Sequence, residues 1–251
     1  MGEALLAGLM AGGWAAHQMR AVERLPDRAR ELGERFPGLE VAGEPGPADG
    51  HVLAVKPGDV AAACRSLAAS GSRSPVLSIA AGVTLHRLEA ALAPGTPVVR
   101  AMPNTPALVG AGAAAVAAGG AAGEADLAWA EQILGAVGQV VRVDESLLDA
   151  VTGLSGSGPA YIFLVAEALV EAGVLAGLPR PVSSTLATQT LLGAARLLAE
   201  SHEGPEALRA AVTSPGGTTA AGLRVLESAG VRAAFLDAVM AATERSRELG
   251  T

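Results

Sequence analysis

The sequence predicts an α/β protein: a mostly parallel sheet covered by helices on both faces, followed by a part that is helical throughout. Two observations carry this. Up to residue 144, short apolar runs alternate with helix-patterned segments, the arrangement of parallel strands joined by crossover helices. After Asp144 the strand-like runs stop and only helix-patterned segments follow. The change of pattern sets a domain boundary, with residues 1–144 forming the sheet domain and 145–251 the helical one.

In chain order, Gly2–Ala11 reads as a helix, Met19–Glu23 as a short strand and Pro26–Arg35 as a second helix. His51–Val55 is a continuous apolar run stopped by Lys56-Pro57, which suits a buried strand. Helix over Asp59–Ala69, strand over Pro75–Ile79, helix over Thr84–Ala93 and strand over Pro97–Met102 follow. The stretch Leu108–Gly123 is apolar, but it is mostly alanine broken by glycine, whereas a membrane span wants about 20 strongly apolar residues. It reads as buried strand plus loop. A helix over Glu124–Ala136 and a strand over Gln139–Val143 close the first domain. The second domain is predicted to hold helices over Ser146–Thr152, Pro159–Ala172, Val182–Ala199, Glu206–Val212, Thr219–Ser228 and Arg232–Leu249. Their long Ala/Leu faces are covered either by one another or by a partner chain.

Composition narrows the function. The chain of 251 residues carries a formal net charge of −7 and no Lys/Arg-rich run, so nucleic-acid binding lacks an electrostatic basis. The single cysteine, Cys64, supports neither an internal disulfide nor a zinc cluster and reads as a small core residue. His17, His51, His86 and His202 are scattered without metal-ligand spacing, so no metal is expected. No charged-then-apolar leader opens the chain, and a cytoplasmic protein outside any membrane is expected.

The chain opens directly on a helix. In a doubly wound sheet the first strand is central, and the glycine turn after it brings amides to a dinucleotide pyrophosphate. Gly2 suits the last glycine of such a turn, where helix and strand approach closely. The strand and the earlier glycines are expected roughly a dozen residues upstream of Met1, about one strand and one turn. Without them the sheet is expected to have a gap, exposed edges and weakened cofactor binding.

Four short motifs bear on chemistry. Ala54-Val55-Lys56-Pro57 and Arg100-Ala101-Met102-Pro103-Asn104-Thr105-Pro106 both end buried strands, at the carboxyl edge where open α/β sheets bind ligands. Asn104 there offers a donor and an acceptor. Leu154-Ser155-Gly156-Ser157-Gly158-Pro159-Ala160-Tyr161 is a glycine–serine turn, a hinge and cap for a long helix. Ser214-Pro215-Gly216-Gly217-Thr218-Thr219 lies between two helix patterns. Proline ends the first, glycines leave amides bare, and threonine opens the second at a position like an N-cap. Such a helix start suits a small carboxylate.

In this order and spacing the motifs resemble the delta-1-pyrroline-5-carboxylate reductase family, over essentially the whole chain. The resemblance implies a Rossmann-like sheet domain followed by an all-helical dimerisation domain. It implies NADPH- or NADH-dependent reduction of the cyclic imine 1-pyrroline-5-carboxylate to L-proline, the last step of proline biosynthesis, by a homodimer or a larger ring of dimers. Matched residue by residue, Ser214, Gly217, Thr218 and Thr219 would hold the substrate, with the Thr219 hydroxyl at the ring nitrogen as the catalytic contact. Gly2, Val55, Lys56, Pro57, Met102, Pro103 and Asn104 would face the cofactor. Arg24, just beyond the second strand of the fold, sits where the ribose is read and leans the choice to NADPH, with Glu23 beside it pulling towards NADH. Two other readings stay open. One is a related reductase of imines or hydroxy acids, which usually relies on a lysine in the helical domain, whereas no lysine follows Lys56 here. The other is a truncated, non-catalytic homologue with impaired cofactor binding.

Overall fold

The computed structural model describes residues 1–250. It consists of two compact units. The first runs from Met1 to Ser157 and takes in the chain again from Ala241; the second is Gly158–Met240. The break between compact units thus falls at 157, beyond the composition change expected at 144. The short helix α6 (Leu148–Val151) belongs with the sheet because Leu148 is fully enclosed in the sheet core. Ser246 Oγ donates to Asp149 Oδ1 at 2.6 Å and draws the end of the chain to the same unit.

In the first unit the strands are β1 (Arg20–Val22), β2 (Glu40–Ala42), β3 (His51–Leu53), β4 (Val76–Ser78), β5 (Val98–Met102), β6 (Gly112–Ala118) and β7 (Gly138–Arg142). They form two ladders, the parallel pair β1–β2 and a five-stranded sheet in the order β3-β4-β5-β6-β7. β1 and β3 belong to different ladders, so the strands do not form one continuous sheet. Every pairing is parallel except β5–β6, whose register sets Arg100 opposite Ala117. β2 was not expected from the sequence. Its three residues Glu-Val-Ala carry no apolar run, and the strand exists through its pairing with β1.

Helices cover the sheet with apolar stripes at helical spacing. On α3 (Val60–Ala69), Val60, Cys64 and Leu67 enter one core with Leu53, Val76 and Val98. On the other face, Ile133 and Leu134 of α5 (Glu124–Gly135) meet Leu77, Val99 and Val116. The helix α1 (Gly2–Ala11) serves both ladders. Leu5 and Leu9 join the cluster on the five-stranded sheet, while Leu6 and Met10 pack on Leu32, Phe36 and Leu39 beneath β1–β2. Leu5 and Leu9, both buried, are worth about 1.5–3 kcal/mol each, while Leu6 and Met10 are partly buried, so α1 packs on two ladders that share no strand pairing. The helices α2 (Pro26–Arg35) and α4 (Leu85–Ala91) complete the layer.

The second unit is helical, as expected. It contains α7 (Gly158–Leu175), α8 (Arg180–Glu200), α9 (Pro205–Ala211), α10 (Thr218–Ser228) and the first half of α11 (Val231–Gly250). α7 and α8 pack closely. Ser183, almost wholly buried, donates from Oγ to the Val170 carbonyl at 2.8 Å, and a Cβ on Gly173 would overlap that hydroxyl. Outward, α7 presents Ile162, Phe163 and Leu164, each more than half exposed.

Candidate functional site

The strongest candidate in the helical unit is the start of α10. Gly216 takes φ +70°, a left-handed conformation that favours glycine, and the chain then turns so that Gly217 N–H donates to the Ser214 carbonyl at 3.0 Å. A Cβ on Gly217 would overlap Ser214 Oγ and lie 3.1 Å from the Ser214 carbonyl oxygen, so the turn is tight around glycine and a side chain there must displace Ser214. Gly217 is the N-cap, and Thr218 and Thr219 are the first two helical residues. The threonine N-cap expected from the sequence is thus shifted by one position, to Gly217, where the close Ser214 leaves little room for a side chain. The preceding helix α9 ends at Ala211, ahead of Pro215 rather than at it.

The first intrahelical bond of α10 is Ala221 N–H to the Gly217 carbonyl at 3.2 Å. The amides of Thr218, Thr219 and Ala220 therefore have no acceptor inside the helix, and no side chain caps this end. Neither threonine hydroxyl has a hydrogen-bond partner among the described residues; Thr218 is exposed and Thr219 half-buried. Bare amides, two hydroxyls and the positive end of the helix dipole are chemically suited to an anion. Behind it, Glu227 at the far end of α10 is held by Arg232 at 2.8 Å and Arg209 at 3.6 Å. The hydrogen bond from Arg232 pulls its carboxyl below the usual range.

In the first unit the predicted cofactor-side residues come at three strand ends and one helix start. At α1, Gly2 is the first helical residue; a Cβ there would come 3.1 Å from the Ala54 Cβ, so the helix start lies close against the residue after β3. The first intrahelical bond is Leu5 N–H to the Met1 carbonyl, which leaves the amides before it without an acceptor in the helix. Glu3 in that turn is neutralised by Arg28 and Arg35. Beyond β1, Glu23 Oε1 accepts from Leu25 N–H at 3.0 Å and is drawn into its own turn, while Arg24 is exposed with no ion pair among the described residues. After β3, Val55 and Lys56 are exposed, and Lys56 caps a short 3₁₀ turn over Pro57–Asp59.

The end of β5 is built differently. Met102 is half-buried, and Pro103 and Asn104 are buried. Asn104 Oδ1 accepts from Ala113 N–H at 2.8 Å, and its Nδ2 donates to the Ser155 carbonyl at 3.0 Å. Both atoms that the sequence suggested for a ligand are thus engaged inside the protein. Thr152–Gly156 is a π-helical turn, and Ser157 N–H reaches the Thr152 carbonyl at 2.8 Å. One further feature escaped the sequence reading. Buried Arg100 on β5 pairs with Glu145 at 2.8 Å, and Glu145 Oε1 also accepts from Leu85 N–H at the start of α4 at 2.6 Å. A lone arginine in the apolar run Val98–Met102 was the available signal, since a buried charge requires a partner.

The chain matches two family models: pyrroline-5-carboxylate reductase dimerisation over residues 145–249, and coenzyme F420-dependent NADP oxidoreductase over residues 1–82. A pyrroline-5-carboxylate reductase from Synechocystis is 53% identical over 199 residues, 79% of this chain and 74% of that protein. The solved pyrroline-5-carboxylate reductase from Coxiella burnetii superimposes with a TM-score of 0.95 at 38% identity, covering 100% of this chain and 95% of that one. The Plasmodium falciparum pyrroline carboxylate reductase solved with NADP bound gives a TM-score of 0.86 at 28% identity, covering 100% of this chain and 95% of that one.

Proposed function

Because the chain belongs to the pyrroline-5-carboxylate reductase family, we propose that it reduces 1-pyrroline-5-carboxylate to L-proline and grips the substrate's acid group at the start of α10. It is an NAD(P)-dependent oxidoreductase with a Rossmann-like domain and a helical dimerisation domain. The observation that carries the substrate assignment is the set of three unpaired amides and two unpartnered hydroxyls at Thr218–Ala220.

The first unit fits a dinucleotide. The open α1 amides, with Glu3 already neutralised, suit a diphosphate. Arg24, free of ion pairs among the described residues and beside a Glu23 turned into its own loop, suits a ribose 2′-phosphate and favours NADPH over NADH. Val55, Lys56 and Pro57, with the turn Met102–Pro103–Asn104, would flank the nicotinamide side. NADPH, when bound, supplies the hydride that reduces the C=N carbon.

The protein's own part is orientation. Amides of Thr218 and Thr219 hold the carboxylate, and the Thr219 hydroxyl steers the ring nitrogen. Ser214–Thr219 contains no side-chain acid, which supports a role for Thr219 in orienting an imine that arrives protonated, or in weakly assisting its protonation. Holding reacting atoms at about 3–3.5 Å in one geometry is the main source of rate.

We further read the exposed apolar face of α7 as covered by a second copy of this chain, giving a homodimer or a ring of dimers in the cytoplasm. The helical stretch Glu145–Leu175 has the length and mean hydropathy, 1.5, of a membrane span, but the dimerisation model covers the same residues and supports a protein partner over lipid. The acidic net charge of −7 speaks against nucleic acid. The test is a coupled assay of the purified chain with 1-pyrroline-5-carboxylate and NADPH. Stoichiometric NADPH oxidation and L-proline formation are expected; no proline at millimolar substrate would overturn the assignment.

A further inference from the structure

We propose that Asn104 is a positioning residue: it fixes the course of the Met102–Pro103–Asn104 turn by bridging β6 to the π turn, and acts on the nucleotide only through that turn's main chain. The inference rests on the reading that this turn faces the cofactor. Asn104 is only 9% exposed, and its carboxamide makes two bonds of opposite sense. Oδ1 receives Ala113 N–H beside the start of β6, and Nδ2 gives to the Ser155 carbonyl.

The Ser155 carbonyl has a reason to need that donor. Four residues on stands Pro159, which has no N–H to return the ordinary helical bond. A second contact sets the same two segments together. The terminal methyl of Met102 lies over Gly156, where a Cβ would come 2.6 Å from it. Turn and π segment are therefore joined once by a hydrogen bond and once by packing through a missing side chain. A residue that both accepts and donates is required at this position, and its atoms face protein rather than ligand.

This requirement yields a signature that bulk or general stability does not. In the variant Asn104→Asp the new side chain can accept from Ala113 N–H, but as a carboxylate it sets an oxygen against the Ser155 carbonyl. Protonated, it regains a donor and restores both bonds. The ionisable groups on elements packed against β5, β6 and this turn are Glu3 of α1, Arg100 of β5, His86, Arg87 and Glu89 of α4, Glu124, Asp126 and Glu131 of α5, Arg142 of β7, Glu145 and Asp149. They are common to wild type and variant, so the ratio of the two isolates the substituted position.

The experiment measures NADP+ dissociation constants by calorimetry at pH 8 and pH 5.5 for wild type, Asn104→Ala and Asn104→Asp. Both variants are expected to bind about ten-fold more weakly at pH 8, and only Asn104→Asp is expected to recover, to within about three-fold of wild type, at pH 5.5. Reversal of the loss on a pH jump within one sample separates it from misfolding. An Asn104→Ala variant that binds like wild type, or an Asn104→Asp variant with a loss independent of pH, would overturn the proposal while leaving the cofactor reading intact. A wild type that binds no NADP+ would strike the cofactor reading itself, and this inference with it.

Discussion

The turn after β5 and the loop before α10 are both short, rich in proline or glycine, and set at the end of a regular element, yet they handle polar groups in opposite ways. At Met102–Asn104 the side chain with the most hydrogen-bonding capacity is buried and bonded to two backbone groups of the protein. At Ser214–Thr219 the turn is closed by one bond from Gly217 to Ser214, and three amides and two hydroxyls are left open. A motif rich in polar atoms is thus not in itself a contact surface. What distinguishes a ligand site from its scaffold is which donors the fold leaves unpaired. Unpaired donors at a helix start are tolerable because water or an anion satisfies them; a buried carboxamide has no such recourse and must be bonded internally.

The largest expected effect breaks the open side of the comparison. Gly217→Val puts branched carbon where Ser214 Oγ and the Ser214 carbonyl already stand, although the backbone itself, at φ −76°, accepts any residue. The loop has to open, and kcat/KM for 1-pyrroline-5-carboxylate should fall by at least about 100-fold, some 2.7 kcal/mol in transition-state binding. NADP+ affinity should stay within about two-fold, since the turn after β5 is untouched. Loss of both affinities together would erase the distinction between the two regions. Thr219→Ala is milder. It removes one unpartnered hydroxyl and leaves the amides, so turnover should drop roughly ten- to a hundred-fold, the effect of one lost hydrogen bond of about 1.5–3 kcal/mol. Unchanged steady-state constants would remove Thr219 from the site.

The contrast also explains what was legible in the sequence. The open helix start at α10 was readable because its logic is local. Gly-Gly-Thr-Thr at a helix start lies within six consecutive residues, and only the cap position slipped by one, through the contact between Gly217 and Ser214. The partners of Asn104 lie 9 and 51 residues away, and nothing near Asn104 names them. The same limit hid β2, which exists only as a partner of β1, and the antiparallel sense of β6, whose apolar pattern marks a strand but not its direction. Composition placed the domain change at 144, whereas compactness places it at 157, because Leu148 and Asp149 attach the first helical turns to the sheet unit.

The smallest expected effect concerns the support behind the open loop. Glu227 closes α10 at the end opposite the site, bonding Arg232 in the first turn of α11 and reaching Arg209 on α9, so one carboxylate ties together the helices on either side of α10. Arg232 lowers its pKa, chiefly by the hydrogen bond. The sign follows directly. A carboxylate whose pKa is depressed on folding contributes stability that is fully present above the unfolded glutamate value near about 4.3, and loses it as pH falls through the lower folded value. In Glu227→Gln that contribution is absent at every pH. The melting temperature of wild type should therefore exceed that of the variant at pH 7, and the difference should close as pH is taken from about 5 to 3. The group is exposed, so the gap at pH 7 is small and shrinks further in high salt. Activity at pH 7 should change by less than about two-fold, because the amides at the start of α10 owe their exposure to the Gly217 turn and not to Glu227. A gap that persists unchanged to pH 3 would mean that the side chain acts through packing, and a large loss of activity would mean that the open loop is held from behind in the same manner as the turn after β5.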